Sequence, residues 1–215
     1  MSMESSTSQQ VAEYLLQIKA IKLKPENPFT WASGWKSPIY CDNRITLSYP
    51  NIRTFLRDAM AQEIKTQYPG VKAIAGVATG AIGIGMLVAE ALDLPFMYVR
   101  PEPKKHGRQN QIEGHFDPDA PTVVVEDLIS TGKSSLQAVE ALRKENINVL
   151  GMVALFSYEF DVATKNMHDA AIELTTLSGY NALIDTAIAT NYIAPEQEKI
   201  LKKWREAPQL WTPKA

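Results

Sequence analysis

Apolar residues recur at three- and four-residue intervals in "QQVAEYLLQIKAI". That spacing sets Val11, Tyr14, Leu15 and Ile18 on one face and predicts a short amphipathic helix. Pro25, Pro28 and Pro38 break the pattern over "KPENPFTWASGWKSPIYCDNR", which reads as loop and short strands. A proline-initiated helix follows in "PNIRTFLRDAMAQEIKTQYPG", with Ile52, Phe55, Leu56, Ala59, Met60 and Ile64 on one face and Pro-Gly as its stop. From there apolar runs alternate with helical ones. "VKAIAGVA", "PFMYVR", "TVVVED" and "NVLGMVALFSY" read as strands, and "TGAIGIGMLVAEALDL" and "GKSSLQAVEALRKEN" as helices. A polar loop runs from Pro101 to Pro118, and helices are predicted over "SGYNALIDTAIAT" and "PEQEKILKKWREA".

Strands that are apolar throughout and alternate with helices predict an α/β fold, a mostly parallel sheet covered on both faces. The 215 residues suit a single domain, 1–215, with residues 1–49 as an N-terminal hood and 50–215 as the α/β core. With 45% hydrophobic and 21% charged residues the chain can bury a full core. A net charge of −2 argues against a nucleic-acid partner. Cys41 is the only cysteine, which excludes an internal disulfide and fits a reducing cytoplasm. The start "MSMESSTSQQ" lacks the apolar stretch of a secretory signal, and no apolar run approaches the ~20 residues of a membrane span. The expectation is a cytoplasmic protein with no membrane partner.

Chemistry concentrates in "TVVVEDLISTGKSS". A buried strand delivers two acids, Glu126 and Asp127, to the carboxyl edge of the sheet, where open α/β folds bind ligands. Ser130, Thr131, Gly132 and Ser134 then form a small-residue turn at a helix start, whose N–H groups and hydroxyls suit an anion. "GKS" invites a nucleotide P-loop, but that signature needs a glycine five positions before Gly132 and Asp127 stands there. Carboxylates beside a phosphate turn make sense if the ligand is a sugar phosphate, with ribose hydroxyls donating to the acids. Taken singly, acids can merely end a strand and serines merely cap a helix; their combination points to a phosphoribosyl ligand.

Two further segments bear on the same site. "GVATGAIGIG" is a glycine-rich strand-to-helix junction, yet Val88 occupies the third glycine position of a dinucleotide fingerprint. The 101–118 loop groups Lys104, Lys105, His106 and Arg108 just after Arg100, a composition that suits either a solvated basic loop or a lid over an anionic ligand.

"VVVEDLISTGKS" resembles the phosphoribosyl-pyrophosphate (PRPP) signature of type I phosphoribosyltransferases. "FTWASGWKSPIYCDNR" and "RPEPKKHG" resemble the orotate phosphoribosyltransferases within that class. The resemblance implies a type I phosphoribosyltransferase fold and transfer of the phosphoribosyl group of PRPP to orotate, giving orotidine 5′-monophosphate and diphosphate in pyrimidine biosynthesis. It implies that Glu126, Asp127, Leu128, Ile129, Ser130, Thr131, Gly132, Lys133 and Ser134 bind PRPP, with Thr79 and Gly80 under the pyrophosphate. Lys36, Tyr40 and Ser130 would border orotate. Arg100, Lys104 and His106 would act catalytically on the pyrophosphate of a neighbouring subunit, which makes the protein a homodimer. Mg²⁺ is the implied cofactor, held mainly by substrate and not by a protein ligand cluster. Ala32, Gly80 and Tyr158 stand where some members carry lysine, lysine and arginine, so the orotate carboxylate must be met by other groups. A purine-base phosphoribosyltransferase and a non-catalytic PRPP-sensing regulator are the alternative readings; the first would replace the hood, and the second would need an output domain.

Overall fold

A computed structural model describes residues 6–31, 34–102 and 110–212. Helix α1 (Thr7–Gln17) leads into four short strands, β1 (Ile21–Leu23), β2 (Phe29–Thr30), β3 (Lys36–Ser37) and β4 (Ile39–Cys41), a 3-10 turn at Asn43–Ser48, and α2 (Pro50–Gln67). The core follows as β5 (Ala73–Val77), α3 (Ala81–Leu92), β6 (Phe96–Val99), β7 (Ile112–Glu113), β8 (Thr122–Ile129), α4 (Lys133–Lys144), β9 (Val149–Ser157), α5 (Asp161–Asp169), β10 (Leu174–Gly179) and α6 (Tyr180–Ala189). A 3-10 turn at Pro195–Gln197 and α7 (Glu198–Glu206) complete it.

Local chemistry fixes the helix ends. Ser6 Oγ accepts from the Gln9 N–H at 3.3 Å while the Ser6 N–H donates to Gln9 Oε1 at 3.1 Å, a reciprocal cap that starts α1. Pro50 opens α2, where its missing N–H costs nothing. Each helix buries one stripe: Ile52, Leu56, Met60, Ala61 and Ile64 on α2, and Ala138, Val139, Ala141 and Leu142 on α4.

The central sheet has the order β10-β9-β8-β5-β6-β7, parallel except for β7, which runs antiparallel to β6. This is the helix-flanked, mostly parallel sheet expected from the apolar runs. Val123, Val124 and Val125 are fully buried at its centre. Strands β1 to β4 form two small antiparallel pairs outside it.

Four details differ from the sequence pattern. The strand containing "TVVVED" does not end at the acids: β8 continues to Ile129 because the nine-residue β9 runs beside it, pairing Glu126 with Ala154 and Ile129 with Ser157. The 101–118 stretch is not all loop, since Ile112 and Glu113 pair with Val99 and Tyr98 and close the sheet edge. Helix α5 was not signalled, because it buries only Ala163 and Met167 and has no side-chain cap. Ser178 and Gly179, expected in a helix, end strand β10 and lead directly into α6.

Candidate active site

In the chain order of the sheet, β5 is followed on one side by β6 and flanked on the other by β8, so the winding direction changes between β5 and β8. A ligand crevice forms outside the carboxyl ends of strands at such a switch. A cavity of about 420 Å³ lies at this point. Its walls are Val77 to Gly80 at the end of β5 and just after it, Glu126 to Leu128 near the end of β8, and Ser130 to Gly132 in the turn that follows, with Ser134 at the start of α4. Cys41, Asp42 and Arg44, from the end of β4 and the segment after it, complete them.

The turn after β8 is shaped for an anion. Gly132 takes φ of 76°, a conformation that side chains rarely adopt, and a Cβ there would stand 2.8 Å from Met167 Cε. The Thr131 carbonyl accepts from Asn166 Nδ2 at 2.9 Å, which ties the turn to α5. Among the described residues, no hydrogen bond engages the backbone N–H of any residue from Ser130 to Ser134. Those groups and the positive end of α4 are therefore free to hold a phosphate. Lys133 is exposed and does not line the cavity, and the Ile129 side chain lies in the core with its carbonyl accepting from the Tyr158 N–H at 2.9 Å.

The two acids stand differently. Glu126 is 4% exposed, and both its oxygens have interior donors: Ser135 Oγ at 2.7 Å and the Asp127 N–H at 2.9 Å. Burial, then the neighbouring Asp127, push the Glu126 carboxyl well above its ordinary value. Burial also raises Asp127. The Asp127 carboxyl lies against Gly80, where any Cβ would overlap it. Thr79 and Gly80 thus meet the acid pair across one cavity, and the Ala78–Thr79 peptide is cis.

The wall after β4 was not singled out in full by sequence. Asn43 is buried, and its Nδ2 donates to the Asp127 carbonyl at 2.6 Å. Cys41 Sγ donates to Asn43 Oδ1 at 3.2 Å, and burial followed by the fields of Asp127 and Asp42 raises its thiol. Arg44 forks onto Asp42 at 2.7 and 2.9 Å, which lowers the Asp42 carboxyl. The available signal was a polar cluster, "CDNR", directly after an apolar strand.

A second cavity of about 330 Å³ adjoins the first through Cys41, Leu128 and Ser130. Thr30, Trp31, Tyr40 and Tyr158 form its remaining walls, a shape and polarity suited to a flat ring. Trp31 Nε1 donates to the Ile39 carbonyl at 3.1 Å, and its ring lies 5.5 Å from Tyr158 and 5.6 Å from Trp204 of α7. Tyr158 stacks on Phe160 at 5.4 Å, so the C-terminal helix and the N-terminal strands support the cleft together. Lys36 is exposed on β3 and does not line this cavity itself. Its Nζ donates to Thr30 Oγ1, which does, at 2.7 Å.

Arg100 follows β6. Its N–H donates to the Gln111 carbonyl, and its guanidinium lies 3.5 Å from Glu113 and outside the cavity walls. Lys104, Lys105, His106 and Arg108 lie outside the described residues, as does Ala32.

Comparison with known proteins gives the same picture. The family model "Phosphoribosyl transferase domain" matches residues 47–183. The chain is 56% identical over 200 residues to an orotate phosphoribosyltransferase of Bacteroides fragilis, covering 93% of this chain and 94% of that protein. It is 52% identical over 201 residues to one from Porphyromonas gingivalis, covering 94% and 96%. Among solved structures, the orotate phosphoribosyltransferase of Aeropyrum pernix superposes with a TM-score of 0.72 at 26% identity, over 86% of this chain and 99% of that one.

Proposed function

The chain belongs to the orotate phosphoribosyltransferases, and from that membership and the twin cavity we propose that it transfers the phosphoribosyl group of PRPP to orotate, giving orotidine 5′-monophosphate and diphosphate. The observation that carries this reading is one cavity wall that holds both unbonded N–H groups, from Ser130 to Ser134, and the acid pair Glu126–Asp127. The 5-phosphate sits on the turn, with Ser130, Thr131 and Ser134 hydroxyls as further donors. The vicinal ribose hydroxyls donate to the acids, and the pyrophosphate lies toward Thr79 and Gly80. C1 of the ribose then faces the adjoining cavity, where the ring nitrogen of orotate approaches between Tyr40, Trp31 and Tyr158.

In the reaction the C1–oxygen bond to pyrophosphate breaks as the C1–nitrogen bond to orotate forms, through an oxocarbenium-like state. Orotate gives up its ring proton to water, and the electron pair of the broken bond leaves with pyrophosphate. Asp127 places negative charge beside the sugar where positive charge develops. Lys36, braced on Thr30, meets the orotate carboxylate in place of the arginine that Tyr158 replaces.

The described walls of the first cavity carry Asp42, Glu126 and Asp127 against Arg44 alone, and Arg44 is already paired with Asp42. A substrate with a phosphate and a pyrophosphate needs more positive charge than that, which suits Mg²⁺ carried mainly on substrate oxygens and water. Bound so, Mg²⁺ supplies charge neutralisation at the departing pyrophosphate. Arg100, Lys104 and His106 add the rest in this reading, from the loop of a partner subunit in a homodimer, with Lys104 as fixed charge, Arg100 as a fork and His106 as charge or proton donor. Among the described residues no helix is long and apolar enough to cross a membrane. The single cysteine, Cys41, suits a reducing compartment, and the cytoplasm is the location we propose.

The test is an ultraviolet assay with protein, Mg²⁺, PRPP and either orotate or hypoxanthine. Loss of the orotate band with no change for hypoxanthine is expected. Turnover of hypoxanthine alone, or PRPP binding without turnover of either base, overturns the assignment.

A further inference from the structure

The ribose site has a support that its cavity walls do not include. Ser135 is the third residue of α4 and is 1% exposed, so its hydroxyl never meets solvent. It donates to Glu126 Oε2 at 2.7 Å. The other Glu126 oxygen accepts the Asp127 N–H at 2.9 Å. Glu126 is thereby held from two sides, once by the helix that follows the phosphate turn and once by the backbone of the next acid. Asp127 has a different situation: its carboxyl lies over Gly80 in the cavity, shares a side-chain hydrogen bond with the Glu126 carboxyl, and lies in the field of the Arg44 guanidinium. One acid is braced inward and the other is presented outward.

We propose that Ser135 is a positioning residue of the ribose site, which fixes the Glu126 carboxyl against α4 and through it sets Asp127 and the phosphate turn at the spacing of a ribose 5-phosphate. The physical reason is the linkage it makes. Strand β8 carries the acids and α4 carries the phosphate-binding N–H groups, and between them lies a turn of small residues, Ser130 to Gly132, with little stiffness of its own. A short hydrogen bond from the helix back to the strand, buried at both ends, closes that turn into a rigid loop. A buried bond of a hydroxyl to a carboxyl is strong, and loss of the donor leaves a carboxyl oxygen with no partner. Loss of Ser135 therefore frees the distance between sugar and phosphate sites while leaving each site chemically intact.

This inference rests on the PRPP-binding reading above, and the experiment separates the two. Binding of inorganic phosphate and of ribose 5-phosphate is measured by calorimetry on the full chain, alongside steady-state kinetics. For Ser135→Ala the expected result is unchanged phosphate affinity, ribose 5-phosphate binding weakened by about tenfold, and a KM for PRPP raised by a similar factor. The KM for orotate stays within about twofold and kcat falls by less than about threefold. Ser135→Thr, which keeps the hydroxyl, restores ribose 5-phosphate binding. In a Glu126→Gln background, Ser135→Ala adds less than about twofold, because the bond acts through Glu126. Equal losses for phosphate and ribose 5-phosphate, or additive effects of the two substitutions, overturn the assignment of Ser135. If Ser135→Ala does not fold, Ser135→Cys, close in size with a weaker donor, decides it: ribose 5-phosphate binding must weaken while phosphate affinity holds, and unchanged ribose 5-phosphate binding overturns the assignment. A wild-type protein that binds no ribose 5-phosphate overturns the PRPP reading itself, and the inference with it.

Discussion

The placement of the Asp127 carboxyl depends on an absent side chain. A Cβ at Gly80 would overlap that carboxyl, and the carboxyl can swing aside more readily than the backbone can move. The cost of a methyl group at position 80 therefore falls on the sugar contact and not on the fold. Gly80→Ala is expected to lower kcat/KM for PRPP by about tenfold or more, about 1.4 kcal/mol in the barrier, with a melting temperature close to wild type. Steady-state kinetics beside a thermal melt check this; a variant with lost stability and intact kcat/KM would show that position 80 matters to packing alone. A side chain at position 80 and the present Asp127 rotamer are therefore mutually exclusive.

At the scale of elements, α5 has a role that its sequence hides. Asn166 on α5 donates to the Thr131 carbonyl, and Met167 packs under Gly132, so this short helix holds the phosphate turn from behind. Asn166→Ala should raise the KM for PRPP severalfold and leave kcat and the KM for orotate nearly unchanged, with a stability loss of about 1 kcal/mol for the hydrogen bond. Denaturant unfolding and the two KM values are the measurements. A rise in both KM values would mean that the turn does not act as a local unit. The difference between α5 and its neighbours explains how much could be read from sequence. The apolar runs of β5, β8 and β9 and the stripes of α2 and α4 follow from local periodicity, and so does the small-residue turn between β8 and α4. The continuation of β8 through Glu126 and Asp127 does not, because a buried acid violates the pattern unless donors reach it, and only the fold brings Ser135 Oγ and the Asp127 N–H onto Glu126. Strand β10 was hidden for a related reason. Its Ser178 hydroxyl donates to the Ser8 carbonyl of α1, a partner 170 residues away that no local window contains. The ring cavity likewise joins Trp31, Tyr158 and the helix of Trp204, which are distant in sequence and become adjacent only when both ends of the chain fold over β9.

At the scale of the whole molecule, the proposed function has a second copy complete the site, and that part of the proposal can be tested by itself. The acid pair stands on β8, two strands in from β6, and the basic residues Lys104, Lys105, His106 and Arg108 fall in sequence between β6 and β7. Arg100, at the root of that segment, turns its guanidinium to Glu113 and does not face the cavity of its own chain, whose described walls hold more carboxylates than cations. If the lid acts in trans, a lid defect and an acid defect in separate subunits complement each other. Lys104→Ala and Asp127→Asn proteins should each be nearly inactive. Mixed under conditions that exchange subunits, they form hybrids in which one of two sites has both an intact acid pair and an intact lid. Random pairing makes half the dimers hybrid, so activity should recover to about one quarter of wild type. Recovery must follow subunit exchange in time and fail for the Lys104→Ala, Asp127→Asn double variant mixed with Lys104→Ala. A lid that closes over its own chain's site predicts the opposite, because each hybrid site would then keep one defect and the mixture would stay as inactive as its components.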